Sequence, residues 1–574
     1  MTIQKQYLIA TADELTWKFD QPVIFLGEWC RLYDRRHVWE TMNANVAEPY
    51  GLDKSKKEED FSKIRQLELK LFPEFYKILN KHFNLSHEER FWQILLGHWF
   101  RRILILLLNR INTFKQCLQK YNISGITISK SDDYLAVLDS SHINTASIDD
   151  NWNNLLNARI LNLLKVDFPI EFSQNNIKII PYAKKVFSIK SSFTHKIFNW
   201  STYIYNKISR RYLNDNDAFI LNSYLPLKEE IKLELILKQW PQMWRLQNTK
   251  NDLSKIIKKP DTNLREKLSA KILKKSDSDF ENIVRSLIFE LTPICFLEGF
   301  HELKKKASEQ LWPKSPKFIF TCNNFDSHEV FKMWVASKVE LGFNYYVGQH
   351  GNNYGTKKNY TQATEITTAD KFITWGYKKS NKFYPAFIFT QIGQKKIFHD
   401  PNGGLLLTQL PHPASYETFD IETHHIKYFD DQKEFIKGLN INSKEKLTIR
   451  LHKAYQYLRW SEKKRWFDFD SSLKLDTGQT NINKLISKNR LVVHSYDSTG
   501  MLETLSQNIP TLAFWQNNFD HLEDSAILNY QTLVDAGIVH LSSKSVAKKV
   551  NDVWYDVDGW WSQSYIQKAR RENY

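Results

Sequence analysis

The stretch Arg490–Trp515, RLVVHSYDSTGMLETLSQNIPTLAFW, decides the fold of the second half of the chain. Three apolar residues, Leu491–Val493, run into a polar turn, HSYDST. Met501, Leu502 and Leu505 then recur at helical spacing, and Pro510 precedes a second apolar run, TLAFW. Strand, turn, helix and strand in that order form the repeating unit of a parallel α/β sheet. The same grammar extends upstream. KFIFTCNNF from Lys317, FNYYVGQHG from Phe343, KFITWG from Lys371, GLLLTQLP from Gly404 and LTIRLH from Leu447 are strand-like runs ending in glycine-rich or polar loops. Helical spacing at His328–Leu341 and Thr499–Gln507 separates some of them.

The first half is harder to order. Tyr7–Ala10, Val23–Leu26, Tyr134–Leu138, Ile177–Tyr182 and Ala218–Leu221 are strand candidates. Glu58–Lys120, Leu155–Leu164, Lys228–Leu237 and Ala270–Glu298 have helical spacing, the last interrupted near Pro293. The Pro313/Pro316 pair puts a boundary near residue 310. The reading is thus a helix-rich α/β N-terminal domain over residues 1–310 and a Rossmann-like domain over 311–574, with the last helix returning to the first domain.

Composition narrows the functional class. At 574 residues the chain exceeds one core, and 42% hydrophobic with 25% charged residues is ordinary for a globular protein. The formal charge of +16 favours anionic partners such as phosphorylated donors, anionic headgroups or nucleic acid. The lysines are scattered over amphipathic faces, Lys54–Lys57, Lys255–Lys259 and Lys304–Lys306 being the densest. No zinc-finger spacing or RNA-binding aromatic motif accompanies them, which disfavours nucleic acid. Cys30, Cys117, Cys295 and Cys322 are widely spaced and read as free thiols of a reducing compartment. The N-terminus has no signal-peptide pattern, and the longest apolar run, Ile103–Leu108, is too short to span a bilayer. A cytoplasmic protein, with peripheral contact at the inner face of the membrane, is expected.

Four clusters carry chemistry. In VGQHGNNYG, Val347–Gly355, three glycines surround Gln349, His350 and Gly351 at a strand end, where a loop can approach phosphate closely. The alternative is a tight turn with a structural histidine. At Ser498 and Thr499 a helix begins, whose free N–H groups and dipole attract an anion. Glu503 lies one turn on and can meet a ribose, or simply support the helix start. TIRLH offers Arg450 and His452, a phosphate grip or a surface ion pair. EWCRLYDRRHVW, Glu28–Trp39, supplies Glu28, Asp34 and His37 as acid–base candidates, or forms a salt-bridge knot between domains.

EWCRLYDRR, GQHGNNYG, DKFITWG and HSYDSTGMLETLSQNIPT together resemble a family of transferases of bacterial O-antigen and surface-polysaccharide loci. More distantly, the HG loop and the D-S-T helix start are similar to teichoic-acid polymerases using CDP-glycerol and to capsule enzymes using CMP-activated Kdo. The resemblance implies a GT-B-like arrangement, two Rossmann-like domains facing a cleft, and a glycosyltransferase (possible donors include a CMP-linked nonulosonic acid). It implies no metal or other cofactor, and as partners a nucleotide sugar and a glycan or lipid-linked glycan acceptor. It places His350, Ser498 and Thr499 at the donor phosphate and Glu503 at the ribose. Asp-x-Asp pairs at Asp215/Asp217, Asp277/Asp279, Asp468/Asp470 and Asp556/Asp558 follow no convincing strand and read as chance. PHPAS, Pro411–Ser415, is similar to a nucleotide-contacting feature of some sialyltransferases. A glycerophosphotransferase and a non-catalytic basic glycan- or nucleic-acid-binding protein remain the rival readings.

Overall fold

The computed structural model describes residues 5–51, 54–130, 134–176, 204–205, 208–242, 244, 253, 259–358, 363–410, 425–456, 459–516 and 518–572. The strand candidate Ile177–Tyr182 and the PHPAS motif lie outside the described residues, as does most of Lys255–Lys259.

Three parallel sheets make up the described fold. The first holds β1 (Gln6–Ile9), β2 (Val23–Phe25), β3 (Ala44–Val46), β4 (Ile123–Lys130) and β5 (Ile170–Asn176), in the order β3-β2-β1-β4-β5. The middle sheet holds β6 (Phe219–Ile220), β7 (Ile319–Thr321), β8 (Tyr345–Gly348), β9 (Lys371–Thr374) and β10 (Phe383–Pro385), in simple sequential order. The last holds β11 (Gly404–Thr408), β12 (Leu447–Arg450), β13 (Lys474–Asp476), β14 (Asn489–His494), β15 (Thr511–Phe514) and β16 (Val539–His540). Its order, β13-β12-β11-β14-β15-β16, is the doubly wound Rossmann order. The expected α/β class with Rossmann-like parallel sheets is therefore present, in three sheets.

The boundary expected at residue 310 needs correction. Residue 310 falls between β6 and β7, which pair in parallel, Phe219 with Ile319 and Ile220 with Phe320. The first two sheets share one apolar core running from Tyr7 to Phe372, whereas the last sheet has its own, centred on Leu405, Leu491, Val493 and Leu512. The division lies instead between Pro385 and Gly404. Pro313 and Pro316 mark only the approach to β7. The final helix, Ser564–Glu572, also stays with the last sheet: Ile566 and Ala569 join its core, and Arg570 donates to the Leu505 carbonyl at 2.9 Å.

Two further expectations change. Tyr134–Leu138 is apolar because it is buried, but it is coil; its carbonyls at Val137 and Leu138 accept from Ile294 and Cys295 of a tight turn. The helical region over 270–298 is two helices, Thr262–Ile272 and Asp279–Leu291, with a 3₁₀ turn at Ile294–Phe296. Glu89–Lys120 is long and apolar enough to cross a membrane by length and composition, yet 72% of its most apolar window is buried inside the fold. A π turn at Gln93–Gly97 interrupts it just before His98. The four cysteines are buried and unpaired with one another.

Candidate functional site

In a doubly wound sheet, ligands bind beyond the carboxyl ends of the strands where the strand order reverses. In the last sheet that point lies between β11 and β14, so the turn His494–Ser498 occupies it. Ser498 caps the helix Thr499–Ser506, its hydroxyl accepting from Met501 N–H at 3.0 Å. It is itself buried and lies 3.2 Å from His494 Nδ1. The side chain thus orders the helix start, and Thr499 and Gly500 at the first turn are half-buried.

The glycine loop after β8 meets this turn directly. Asn352 N–H donates to Thr499 Oγ1 at 3.2 Å, and Asn352 Nδ2 donates to Asp497 Oδ1 at 2.8 Å. A Cβ on Gly351 would sit 3.4 Å from Thr499 Oγ1. The close approach at Gly348 is tighter: a Cβ there would come within 2.7 Å of Cys322 Sγ and 2.8 Å of Phe389. Gly355 has φ +78°, a conformation that costs glycine nothing. Beyond Gly355, Glu523 N–H donates to the Thr356 carbonyl at 2.7 Å, and Lys358 pairs with Glu58 at 2.7 Å. One loop therefore bridges the middle sheet, the last sheet and the helix Lys54–Phe83.

Asp497 is the hub of that junction. Fully buried, it accepts from Asn352, from Tyr530 hydroxyl at 2.9 Å and from His521 Nε2 at 3.1 Å. Burial alone would raise its pKa; the His521 hydrogen bond and the charge of Lys357 outweigh it and hold the carboxyl below its ordinary value.

The other expected residues fall as follows. Gln349 is buried and structural: its Oε1 accepts from Trp375 N–H at 2.9 Å and its Nε2 donates to the Gly351 carbonyl at 2.8 Å. His350 is mostly buried among Tyr224, Phe325 and Tyr354, with Nδ1 3.2 Å from the Tyr354 hydroxyl. Burial lowers its pKa, so the imidazole is neutral at neutral pH. Tyr354 in turn hydrogen-bonds the buried Glu365, which lies 3.3 Å from His98 across the π turn. Glu503 accepts from Thr390 Oγ1 at 2.7 Å. Arg450 is tied to Asp476 at 3.1 Å and to the Thr480 carbonyl at 2.7 Å, and His452 Nδ1 accepts from Ala454 N–H at 3.2 Å. Both are held within the last sheet's own strand-end loops.

The N-terminal cluster forms the interdomain knot. Glu28 pairs with Arg31, whose guanidinium covers Trp39. Asp34 accepts from Ser461 Oγ at 2.6 Å and pairs with Lys464 at 3.3 Å. Tyr33 and Arg36 both reach Asp468, at 2.9 and 3.0 Å, and His37 is exposed. The Ser461 hydrogen bond leads in lowering the Asp34 pKa, which makes it a poor proton acceptor. Several Asp-x-Asp carboxylates are likewise engaged: Asp217 accepts from Asn214 N–H, Asp279 pairs with Lys115, and Asp556 caps a helix.

The chemistry-bearing residues not anticipated are Asn352, Asp497, His521, Tyr530, Tyr224 and Glu365. Tyr224, in the loop after β6, has φ +59° beside His350, a strained conformation of the kind that collects at functional sites. Asn352 and Asp497 stand inside the quoted motifs; His521 and Tyr530 carry no local signal.

The last sheet, whose strand order reverses between β11 and β14, is of the doubly wound α/β class. The sequence matches the LIC12162 family transferase profile over residues 6–573, and the chain belongs to this family of transferases. No curated protein matches it. Among solved structures, one described as a UDP-N-acetylglucosamine 2-epimerase from Listeria monocytogenes is 12% identical, with a TM-score of 0.31, covering 51% of this chain and 83% of that one.

Proposed function

We propose that the protein is a glycosyltransferase that moves a sugar from a nucleotide donor to a hydroxyl of a bacterial surface-glycan acceptor. The carrying observation is the contact of the glycine loop with the D-S-T helix start, Asn352 to Thr499 and Asp497, at the strand-order reversal of the last sheet. First-turn N–H groups of the helix from Thr499 suit the leaving phosphate, whose growing charge they would stabilise without reorganising. His350 stands on the glycine loop and Glu503 on the helix that begins at this point, as a hydrogen-bonding group for phosphate and an acceptor for ribose hydroxyls. Of the N-terminal candidates, Glu28 and Asp34 are committed to cations, so the exposed His37 imidazole is the base assigned to the acceptor hydroxyl. A CMP-linked acidic sugar such as Kdo suits the basic chain as donor, and the mechanism needs no metal.

The test is a thermal-shift screen of the full chain with CMP, CDP, UDP and GDP, repeated with His350→Ala and with Ser498→Ala/Thr499→Ala. Stabilisation by one nucleotide, lost in both variants, is the expected result. Binding that survives both variants unchanged refutes the site. A product carrying a phosphodiester by mass analysis would replace glycosyl transfer with glycerophosphotransfer.

A further inference from the structure

A cavity of about 520 Å³ opens between the loop after β2 and the start of the helix Glu462–Phe469, close to the carboxyl end of β12. Its volume lies in the range of small-ligand sites, roughly 300–1,000 Å³. Asp34 forms the N-terminal wall; Tyr455, Ser461, Lys463, Lys464 and Phe467 form the other. Three features set it apart from an ordinary crevice. Phe467 is 40% exposed, and the Lys463 ammonium sits 5.6 Å from its ring centre, so an apolar face and a cation present together. Ser461 is held in a left-handed conformation, φ +51°, with its hydroxyl bound by Asp34. The Asp34 carboxylate stays ionised, which suits it to accept hydrogen bonds from ligand hydroxyls rather than to remove protons.

We infer that this cavity is an acceptor subsite for an acidic sugar unit, with Lys463 meeting its carboxylate or phosphate, Phe467 its apolar ring face and Asp34 its hydroxyls. Two lysines against one aspartate give the cavity net positive charge. An ammonium can pair with a ligand carboxylate, and an aromatic ring buries the C–H face of a pyranose. Tyr455 follows β12, two strands from β14 in the same sheet, roughly 10 Å at ordinary strand spacing. A place at the strand ends of the same sheet suits an acceptor unit beside the donor. The inference rests on the proposed glycosyl transfer and names the acceptor's chemical class.

Binding of tri-galacturonic acid and of 3′-sialyllactose to the full chain, each against its neutral counterpart maltotriose or lactose, tests it by calorimetry. At least one acidic ligand should bind while its neutral counterpart does not. Lys463→Ser and Phe467→Ala, both at exposed positions, should each weaken that binding by about fivefold or more, with nucleotide stabilisation unchanged. Failure of both acidic ligands, equal binding of the neutral sugars, or wild-type affinity in both variants overturns the subsite. Acidic-sugar binding in a protein that no nucleotide stabilises leaves the subsite standing and removes the proposed nucleotide-dependent glycosyl transfer.

Discussion

Removing the Asp497 carboxylate is the sharpest way to break the junction between the glycine loop and the helix start. In Asp497→Ala, the Asn352 amide, the Tyr530 hydroxyl and the His521 ring lose their shared acceptor in a site closed to solvent. Stranding buried donors costs about 1–3 kcal/mol each, and with partial relaxation the three together cost about 3–5 kcal/mol. For a unit of this size each kcal/mol lowers the melting temperature by about 2–4 °C, so a fall of about 6–20 °C is expected. Tyr530→Phe removes a single donor and leaves the carboxylate its other partners, a loss of about 1 kcal/mol. Differential scanning fluorimetry reads the melting temperature, and the nucleotide response is measured on the same samples. Asp497→Ala should lose that response, because the loop Gly351–Lys358 loses its anchor, while Tyr530→Phe keeps it. The pH sign follows from the depressed pKa: the carboxylate stabilises the fold above its unfolded value, near 4, and that contribution disappears as pH falls through the folded value. A loss below about 2 °C for Asp497→Ala, or equal losses for the two variants, refutes the hub.

Other perturbations have equally definite outcomes. Gly348→Ala forces a methyl against Cys322 and Phe389, an overpacking cost of about 1–3 kcal/mol seen as a lower melting temperature. Ser498→Ala removes the cap on Met501 N–H and should cost about 0.5–2 kcal/mol in denaturant titration. His494 is buried against Thr408 and Thr504, and burial lowers its pKa to about 3. The unfolded chain protonates first, near 6.5, so stability is full above that pH and falls as pH drops toward 3. His494→Gln should therefore lose less melting temperature between pH 7 and pH 5 than the wild type does.

How much of this was legible depends on where each strand sits. β7, β8, β9, β11, β12, β14 and β15 show as apolar runs with polar ends because most of their residues are buried in the sheets. β10 and β13 are edge strands with several half-buried or exposed residues, and β16 is two residues long, so none leaves an apolar run. Tyr134–Leu138 failed in the opposite sense. Burial gave it a strand's composition, but its carbonyls are satisfied by a turn that is distant in sequence. The boundary near residue 310 failed because prolines report a local break in the backbone. They do not report that β6 pairs with β7 across the ninety-odd residues between them.

The candidate site is legible as chemistry and not as geometry. Glycines at 348, 351 and 355 and the polar turn before Thr499 are local signatures, and each could be read where it stood. Their meeting is a consequence of topology. A chain leaving β8 at its carboxyl end, and another leaving β14 at the point where strand order reverses, bring Asn352 and Thr499 together from opposite sides of a gap of 147 residues. Side chains that complete such a junction need no motif of their own, which is why His521 and Tyr530 were missed. Arg450 and the N-terminal carboxylates show a different limit. Charged residues dense at a strand end look catalytic in sequence, yet Asp476 holds Arg450, Arg31 holds Glu28, and Ser461 with Lys464 holds Asp34. A charge already satisfied by a partner orients what surrounds it, so its place in function is decided by what it leaves open beside it. Beside Asp34 that opening is the cavity bounded by Lys463 and Phe467.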